Sequence, residues 1–263
     1  MIRDITIGQY YPVSSPIHRL DPRTKILITF IYIISLFFIT YFPGYAFVVL
    51  ALYAVINTSR VPLQFMLKGL KGIAFILLFT VVLNVFFTPG GTVYYEWGVI
   101  RITELGVMTA VMMGTRLILL IVGSSLLTLA TSPIELTDGI ESLLNPFRKM
   151  GVPAHEIAMM MSISLRFIPI LLEETDKIMK AQTARGADFE TGNIIKRAKA
   201  MIPIMVPLFI SAFRRAEELA MAMEARCYRG GEGRTRMNKL QYKKQDVYAF
   251  IAGGVFMLGC ILL

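Results

Sequence analysis

Long apolar blocks separated by short polar breaks dominate this chain, and they leave few architectures open. A helix that crosses a bilayer needs about 20 mostly apolar residues. In hydrocarbon only a helix or a closed barrel satisfies its own backbone. Ile26 to Phe42, Gly72 to Phe87, Leu105 to Thr131 and Val247 to Leu263 are blocks of this kind, and Gly44 to Ile56 is a shorter one. The breaks carry turn chemistry: Asn57-Thr58-Ser59-Arg60 after the second block and Thr88-Pro89-Gly90-Gly91 after the third. Only 17% of the 263 residues are charged and 55% are apolar, whereas a soluble domain carries about a quarter charged residues. The pattern excludes a disordered chain and speaks against a cytosolic enzyme. It predicts an all-α integral membrane protein with five transmembrane helices. The first block follows a polar stretch and no small-residue cleavage site comes after it, so it is expected to be a retained span, not a cleaved signal.

The net charge is +9, from 27 basic and 18 acidic residues. In a soluble protein that would suggest nucleic acid. In a membrane protein it fits the collection of Lys and Arg in cytoplasmic loops. Arg3, Arg19, Arg23 and Lys25 precede the first block, and Arg60, Lys68 and Lys71 follow the second. The loop after the third has Arg101 against Glu96 and Glu104. Alternation then puts the N-terminus and residues 132–246 in the cytoplasm and the C-terminus outside. Three regions are expected: a membrane region 1–131, a cytoplasmic helical region 132–246 and a last span 247–263. In this topology the sequon Asn57-Thr58-Ser59 is cytoplasmic. The C-terminal Cys260-Ile-Leu-Leu box lies within an apolar span. Both are read as chance matches.

Arg116 falls inside the fourth block. It is either a functional charge at mid-bilayer, or the sign that Leu105–Thr115 is a separate interfacial stretch ahead of a span from Leu117 to Thr131. Cys227 and Cys260 have different surroundings in the sequence and predict no disulfide. His18 and His155 are isolated along the chain.

Residues 132–246 read as helices that are both charged and apolar. Ser132-Pro133-Ile134-Glu135 is a capping box with proline at the first helical position. It starts a short helix that should run to Leu144 and stop at Asn145-Pro146. After a turn at Gly151-Val152-Pro153, Ile157, Met161, Leu165, Ile168, Leu172 and Met179 recur at helical spacing. They predict a helix from Ala154 to about Arg185, some 48 Å long, kinked at Pro169 and capped by Gly186. Glu173 with Lys177 and Asp176 with Lys180 are expected i,i+4 pairs. The remaining acids around Glu173-Glu174 read as a solvated face. A further helix is predicted from Pro203 or Pro207 to Arg226, with Ala212, Ala216 and Ala220 on one stripe that admits close helix approach. The turn Gly230-Gly231-Glu232-Gly233 ends it. Met159, Met160, Met161, Met201, Met205, Met221 and Met223 make either a partner surface or packing against the chain's own spans.

No Gly-x-x-x-x-Gly-Lys-[Ser/Thr] loop is present, nor His-Glu-x-x-His, nor Gly-x-Ser-x-Gly. The apolar blocks are nearly free of the acids on which ion-coupled transporters rely. The sequence supplies no residues for an enzyme and no cofactor site. A stand-alone channel or secondary transporter is the alternative function.

Two helices end on similar sequences, Ala184-Arg185-Gly186 and Ala225-Arg226-Cys227, 41 residues apart, and the chain opens with His18-Arg-Leu-Asp-Pro-Arg-Thr-Lys25. In these features the chain resembles the transmembrane T components of energy-coupling factor (ECF) importers of vitamins and metals, the EcfT/CbiQ family, over nearly its whole length. The resemblance implies a non-catalytic scaffold with long amphipathic coupling helices in a large cytoplasmic segment. It implies two cytoplasmic ABC-type ATPase subunits, a small membrane subunit (the S subunit) that captures a vitamin or other micronutrient, and no nucleic acid. It also implies that Arg185 and Arg226, within Ala184-Arg185-Gly186 and Ala225-Arg226-Cys227, each dock in an ATPase groove. Cys227 stands where the family more often has glycine, so the case for a glycine-type cap is weaker at the second site while its arginine is kept. Asp21-Pro22 reads as an N-cap and first helical proline, with Arg23 and Lys25 at the membrane surface.

Overall fold

A computed structural model describes residues 10–97, 100–189, 193–231 and 240–262. Arg3, Glu232, Gly233 and Leu263 from the sequence reading lie outside the described residues. The elements in order are α1 (Pro22–Phe38), α2 (Phe42–Ser59), α3 (Leu63–Phe87), β1 (Val93–Trp97), β2 (Ile100–Thr103), α4 (Glu104–Ala130), α5 (Pro133–Leu144), a 3-10 turn (Asn145–Met150), α6 (Ala154–Ala184), α7 (Ile194–Ala225) and α8 (Lys244–Leu262). This is an all-α membrane protein with one small hairpin. The chain divides into two compact units, one of residues 140–238 and one of 8–139 with 239–263.

In the unit of residues 8–139 and 239–263, α1 packs on α8 and α4, and α3 runs along α4. The core is Leu36, Val48, Leu52, Ile56, Leu119, Val122, Leu126, Leu129 and their neighbours, closed by Cys260 from α8. Tyr32 of α1 donates its hydroxyl to the Leu119 carbonyl of α4 at 2.8 Å. Its ring occupies the space over Gly123, where a Cβ would lie 2.2 Å from the ring. Phe256 of α8 stacks on both Tyr32 and Phe47, at 5.8 and 5.7 Å.

Among the described residues five helices are long and apolar enough to cross a membrane: α2, α3, α4, α6 and α8. This set differs from the expected one. The first block was expected to run to Phe42, but α1 ends at Phe38, residues 39–41 are not helical, and α2 starts at Phe42. With Arg23, Thr24 and Lys25 in its first turn, α1 has 17 residues. Helix α6, expected in the cytoplasmic region, is apolar enough over part of its length to qualify. The third helix begins at Leu63, not Gly72, so Lys68 and Lys71 are helical and not in a loop. Pro62 sets its start, and Leu63, Phe65 and Met66 extend the apolar run. The hairpin β1–β2, with Glu96 opposite Arg101, was not expected, although Val93, Tyr94, Tyr95, Trp97, Ile100, Ile102 and Thr103 are the β-branched and aromatic types that favour strands.

Helix α4 is continuous through Arg116, which removes the reading of two separate stretches. The Arg116 guanidinium donates to the Ile39 carbonyl at 3.0 Å. Ile39 is the C-cap of α1, so the charge meets the negative end of that helix. The rings of Phe37 and Tyr45 stand 5.7 and 6.0 Å from it.

Candidate functional site

In the unit of residues 140–238, local capping sets where the two long helices stop. Helix α6 ends on Ala184 with Arg185 as C-cap. Gly186 then turns left-handed at φ 90°. Its N–H donates to the Thr183 carbonyl at 2.9 Å, and the Ala187 N–H to the Gln182 carbonyl at 3.0 Å. This pair of bonds is a Schellman cap. Helix α7 ends in the same way. Ala225 is its last residue, the Cys227 N–H donates to Glu224 at 2.8 Å, and the Tyr228 N–H donates to Met223 at 3.0 Å. Cys227 takes the left-handed conformation itself, at φ 54°. The second cap therefore keeps both of its bonds, and cysteine weakens it only through backbone strain. A backbone well that favours glycine is occupied by a residue with a Cβ, at a cost of about 1 kcal/mol.

Arg185 and Arg226 thus hold equivalent positions, each the last residue before a left-handed turn. All six signature residues, Ala184, Arg185, Gly186, Ala225, Arg226 and Cys227, are exposed. Among the described residues neither guanidinium has a hydrogen-bond or ion-pair partner. Free carbonyls at a helix end favour a positive charge there, and a guanidinium offers five donors in a rigid fork.

Helices α6 and α7 run antiparallel and pack on each other; among the described residues an ion pair joins them, Arg215 Nη2 to Glu174 Oε2 at 3.1 Å, and Ser211 of α7 bonds the same carboxylate. Glu174, expected on a solvated face, is thus turned toward α7 and remains partly exposed. The expected pairs Glu173–Lys177 and Asp176–Lys180 do not close among the described residues. On one side of Glu174–Arg215 the helices leave a groove of about 370 Å³, lined by Ile163, Phe167 and Leu171 of α6 and by Ala212, Ala216 and Ala220 of α7. The alanine stripe faces α6, as a close-approach stripe should, but the space before it is open. Met160, Met161, Met201, Met205 and Met221 are exposed. Helix α7 begins at Ile194 and carries Pro203 and Pro207 inside it, so neither proline starts the helix as expected. Lys196, Arg197, Ala198 and Lys199 are good helix formers and hold the turns ahead of the first proline.

The Arg226 end is braced. Five residues later, Gly231 lies against His155 at the start of α6, where a Cβ would come within 2.6 Å of the ring. His155 Nδ1 in turn is 3.0 Å from Glu141 of α5. Neither contact was visible in the sequence, where His155 stands alone.

The N-terminal motif lies in the other unit and is turned inward. Asp21 caps α1 by accepting the Arg23 N–H at 3.0 Å, and pairs with the Arg23 side chain at 3.0 Å. Arg23 also stacks over Tyr242 at 4.0 Å. Lys25 is 6% exposed and donates to the His18 and Ala130 carbonyls at 3.0 and 2.8 Å, so it closes the C-terminus of α4. The expected placement of Arg23 and Lys25 at the membrane surface missed these partners. It also missed Asp246, 1% exposed, which accepts the Asp21 N–H at 2.8 Å and the Lys243 N–H at 2.7 Å. His18 is 2.7 Å from Ser15 Oγ and 3.1 Å from the Tyr11 carbonyl. Desolvation holds its pKa below the usual histidine value. Burial pushes the Asp21 carboxyl up, but bonds from the Arg23 side chain and backbone outweigh it and hold the pKa low. Among the described residues no three His, Cys, Asp or Glu side chains cluster in the way that a metal ion requires.

Residues 13–237 match the CbiQ family, described as "Cobalt transport protein". The chain is 59% identical over 261 residues to the "Energy-coupling factor transporter transmembrane protein EcfT" of Thermosediminibacter oceani, covering 99% of this chain and 98% of the relative. Its counterpart of the same name in Clostridium kluyveri is 57% identical over 263 residues, 100% and 97% of the two chains. The one in Bacillus subtilis is 48% identical over 252 residues, 96% and 95%.

Proposed function

The chain belongs to the CbiQ/EcfT family of energy-coupling factor transmembrane proteins, and from that premise we propose that it is the non-catalytic scaffold coupling two cytoplasmic ABC-type ATPases to a small substrate-capturing membrane subunit. It is a multi-pass membrane protein of a transporter. In the proposed orientation the N-terminus and residues 132–246 are cytoplasmic, because the basic residues before α1, Arg60, Lys68 and Lys71 at the start of α3, and the basic residues of 132–246 fall on that side. The cargo class is a vitamin or other micronutrient, bound by the S subunit. ATP binding and hydrolysis belong to the partner subunits.

The observation that carries this reading is the equivalence of Arg185 and Arg226. Two exposed arginines end two long antiparallel helices on the same cap. Two copies of one geometry suit two copies of one kind of groove, and a guanidinium suits a groove lined with carboxylates or carbonyls. When ATP draws the two ATPases together, the two arginine ends are drawn with them. The α6 and α7 faces then shift beneath the S subunit and reorient it.

The test is co-purification from detergent with the ATPases and membrane proteins of the same cell. Stoichiometric recovery of two P-loop ATPase chains with a small membrane protein, and ATP-dependent uptake by that complex in liposomes, is the expected result. Uptake by this chain alone would favour a stand-alone channel or secondary transporter instead.

A further inference from the structure

We infer that Glu174 and Arg215 form the pivot about which α6 and α7 swing, and so set how far apart the two signature arginines stand. The inference rests on the coupling role proposed above and adds to it the residues that position the levers.

The spacing is the first support. Arg185 lies eleven residues beyond Glu174 on α6, and Arg226 lies eleven beyond Arg215 on α7. Each arm is about 16 Å long. Because the helices are antiparallel, the two arms point away from the ion pair in opposite directions, and a rotation at the pair moves both ends equally.

The packing around the pair is the second. The polar contacts between the helices gather at Glu174, which Arg215 and Ser211 of α7 both reach, and a groove of about 370 Å³ runs from Arg215 between residues 163–171 and 212–223, most of it on the side toward Arg226. Its α7 wall carries Ala212, Ala216 and Ala220, and its floor is almost wholly apolar. Small side chains leave the helices free to close on each other, and burial of apolar surface favours closing. Polar contacts gathered on one residue, Glu174, beside an apolar gap fix where the helices cross and leave the crossing angle free to change. The pair is only partly buried, with Arg215 39% and Glu174 24% exposed. Such pairs add little to stability. Their directional bond serves better to hold a register than to hold the fold.

Four forms of the chain test this: wild type, Glu174→Arg, Arg215→Glu, and the double variant with the charges exchanged. In one measurement each full chain, with Cys227 changed to Ala, carries spin labels at Lys180 and Met221 in nanodiscs, and the distance between them is read. In the other, each is assembled with its ATPases and S subunit in liposomes, and substrate uptake per ATP hydrolysed is measured with ATPase recovery. Each single reversal puts two like charges at the crossing. The expected result is a shift of the 180–221 distance by about one helical turn and a fall in uptake per ATP of about tenfold, with ATPase recovery within about twofold of wild type. The exchanged pair should restore both quantities, as coupled residues do in a double-mutant cycle. Wild-type distance and uptake in the single variants would overturn the pivot. So would failure of the exchanged pair to restore them, or loss of ATPase recovery in the single variants, which would make the pair an assembly contact. If even the wild-type chain recovers no ATPase, the coupling reading fails, and the distances still decide the pivot.

Discussion

Asp246, at the start of the last helix, accepts the backbone N–H of Asp21 at 2.8 Å across 225 residues of chain. Its other oxygen accepts the Lys243 N–H at 2.7 Å, so one buried carboxylate caps α8 and ties it to the entry of α1. Asp246→Ala leaves the buried Asp21 N–H without its acceptor and uncaps the Lys243 N–H, which water can reach. A buried donor left so costs about 1–3 kcal/mol and a lost cap about 1 kcal/mol. The variant should lose about 2–4 kcal/mol of stability, whereas Asp246→Asn, which keeps one acceptor, should lose less. Thermal unfolding in detergent, with the surface change Lys177→Ala as reference, checks it.

Gly123 lies beneath Tyr32, and a Cβ there would stand 2.2 Å from the ring. Gly123→Ala must push the Tyr32 ring off Phe256 or part α1 from α4. Overpacking of this kind costs about 1–3 kcal/mol. Tyr32→Phe, which only removes the bond to the Leu119 carbonyl, should cost about 1 kcal/mol. In the Gly123→Ala background, Tyr32→Ala should recover part of the loss by making room. Unfolding temperatures of the three variants test the order.

The pH dependence of this end follows from two groups. His18 has its pKa lowered by desolvation, so the unfolded chain takes up a proton first. Its contribution is complete above the unfolded value of about 6.5 and is lost as pH falls through the lower folded value. Asp21 is also lowered in the folded chain. Its contribution is complete above the unfolded carboxylate value and is lost only in stronger acid. Stability should therefore begin to fall below about pH 6.5 and fall again below about pH 4. In His18→Gln the first step should shrink while the second remains, as read by unfolding temperature from pH 8 to 3.

Cys227 occupies a left-handed turn at φ 54°, which strains a side chain with a Cβ. Cys227→Gly should raise stability by about 0.5–1 kcal/mol, and Cys227→Val, branched at Cβ, should lower it. Neither moves Arg226, so ATPase recovery should stay at the wild-type level in the glycine variant.

Local signals were legible and distant pairings were not. The cap at Asp21-Pro22, the box Ser132–Glu135, the stop at Asn145-Pro146 and the turn at Gly186 are each decided within a few residues, and the structure places them as read. The limits of α6 differ by one residue. The start of α7 was missed because proline is a strong local signal that neighbouring helix formers overrode. The inward turn of Lys25 depends on the Ala130 carbonyl, and the burial of Asp246 on the Asp21 N–H. No local pattern encodes such partners. The 41-residue repeat pairs Ala184-Arg185 with Ala225-Arg226 and also pairs Glu174 with Arg215, but it draws attention only where the residue types match.

Arg185 and Arg226 carry the last prediction. Each is exposed, caps its helix in the same way, and lacks a partner among the described residues, so removing either side chain leaves the fold as it is. Arg185→Ala and Arg226→Ala should unfold at the wild-type temperature and weaken assembly with the ATPases. Loss of one hydrogen-bonded charge at an interface costs roughly 2–5 kcal/mol when its partner groups stay buried. A single variant keeps the second attachment, which holds the released ATPase at high effective concentration, so its assembly should fall less than that figure implies. Arg→Glu should be worse than Arg→Ala at either position, because it adds repulsion to the loss. With both arginines changed to Glu no attachment remains to rescue the other, and both recovery of the ATPases and uptake should vanish. The two ends should also differ. Gly231 and His155 brace the Arg226 end, so a guanidinium held there loses less freedom on docking, and Arg226→Ala should cost more than Arg185→Ala. Co-purification with uptake in liposomes measures all of these, and a double Arg→Glu variant that assembles and transports like wild type would remove both arginines from the coupling contact.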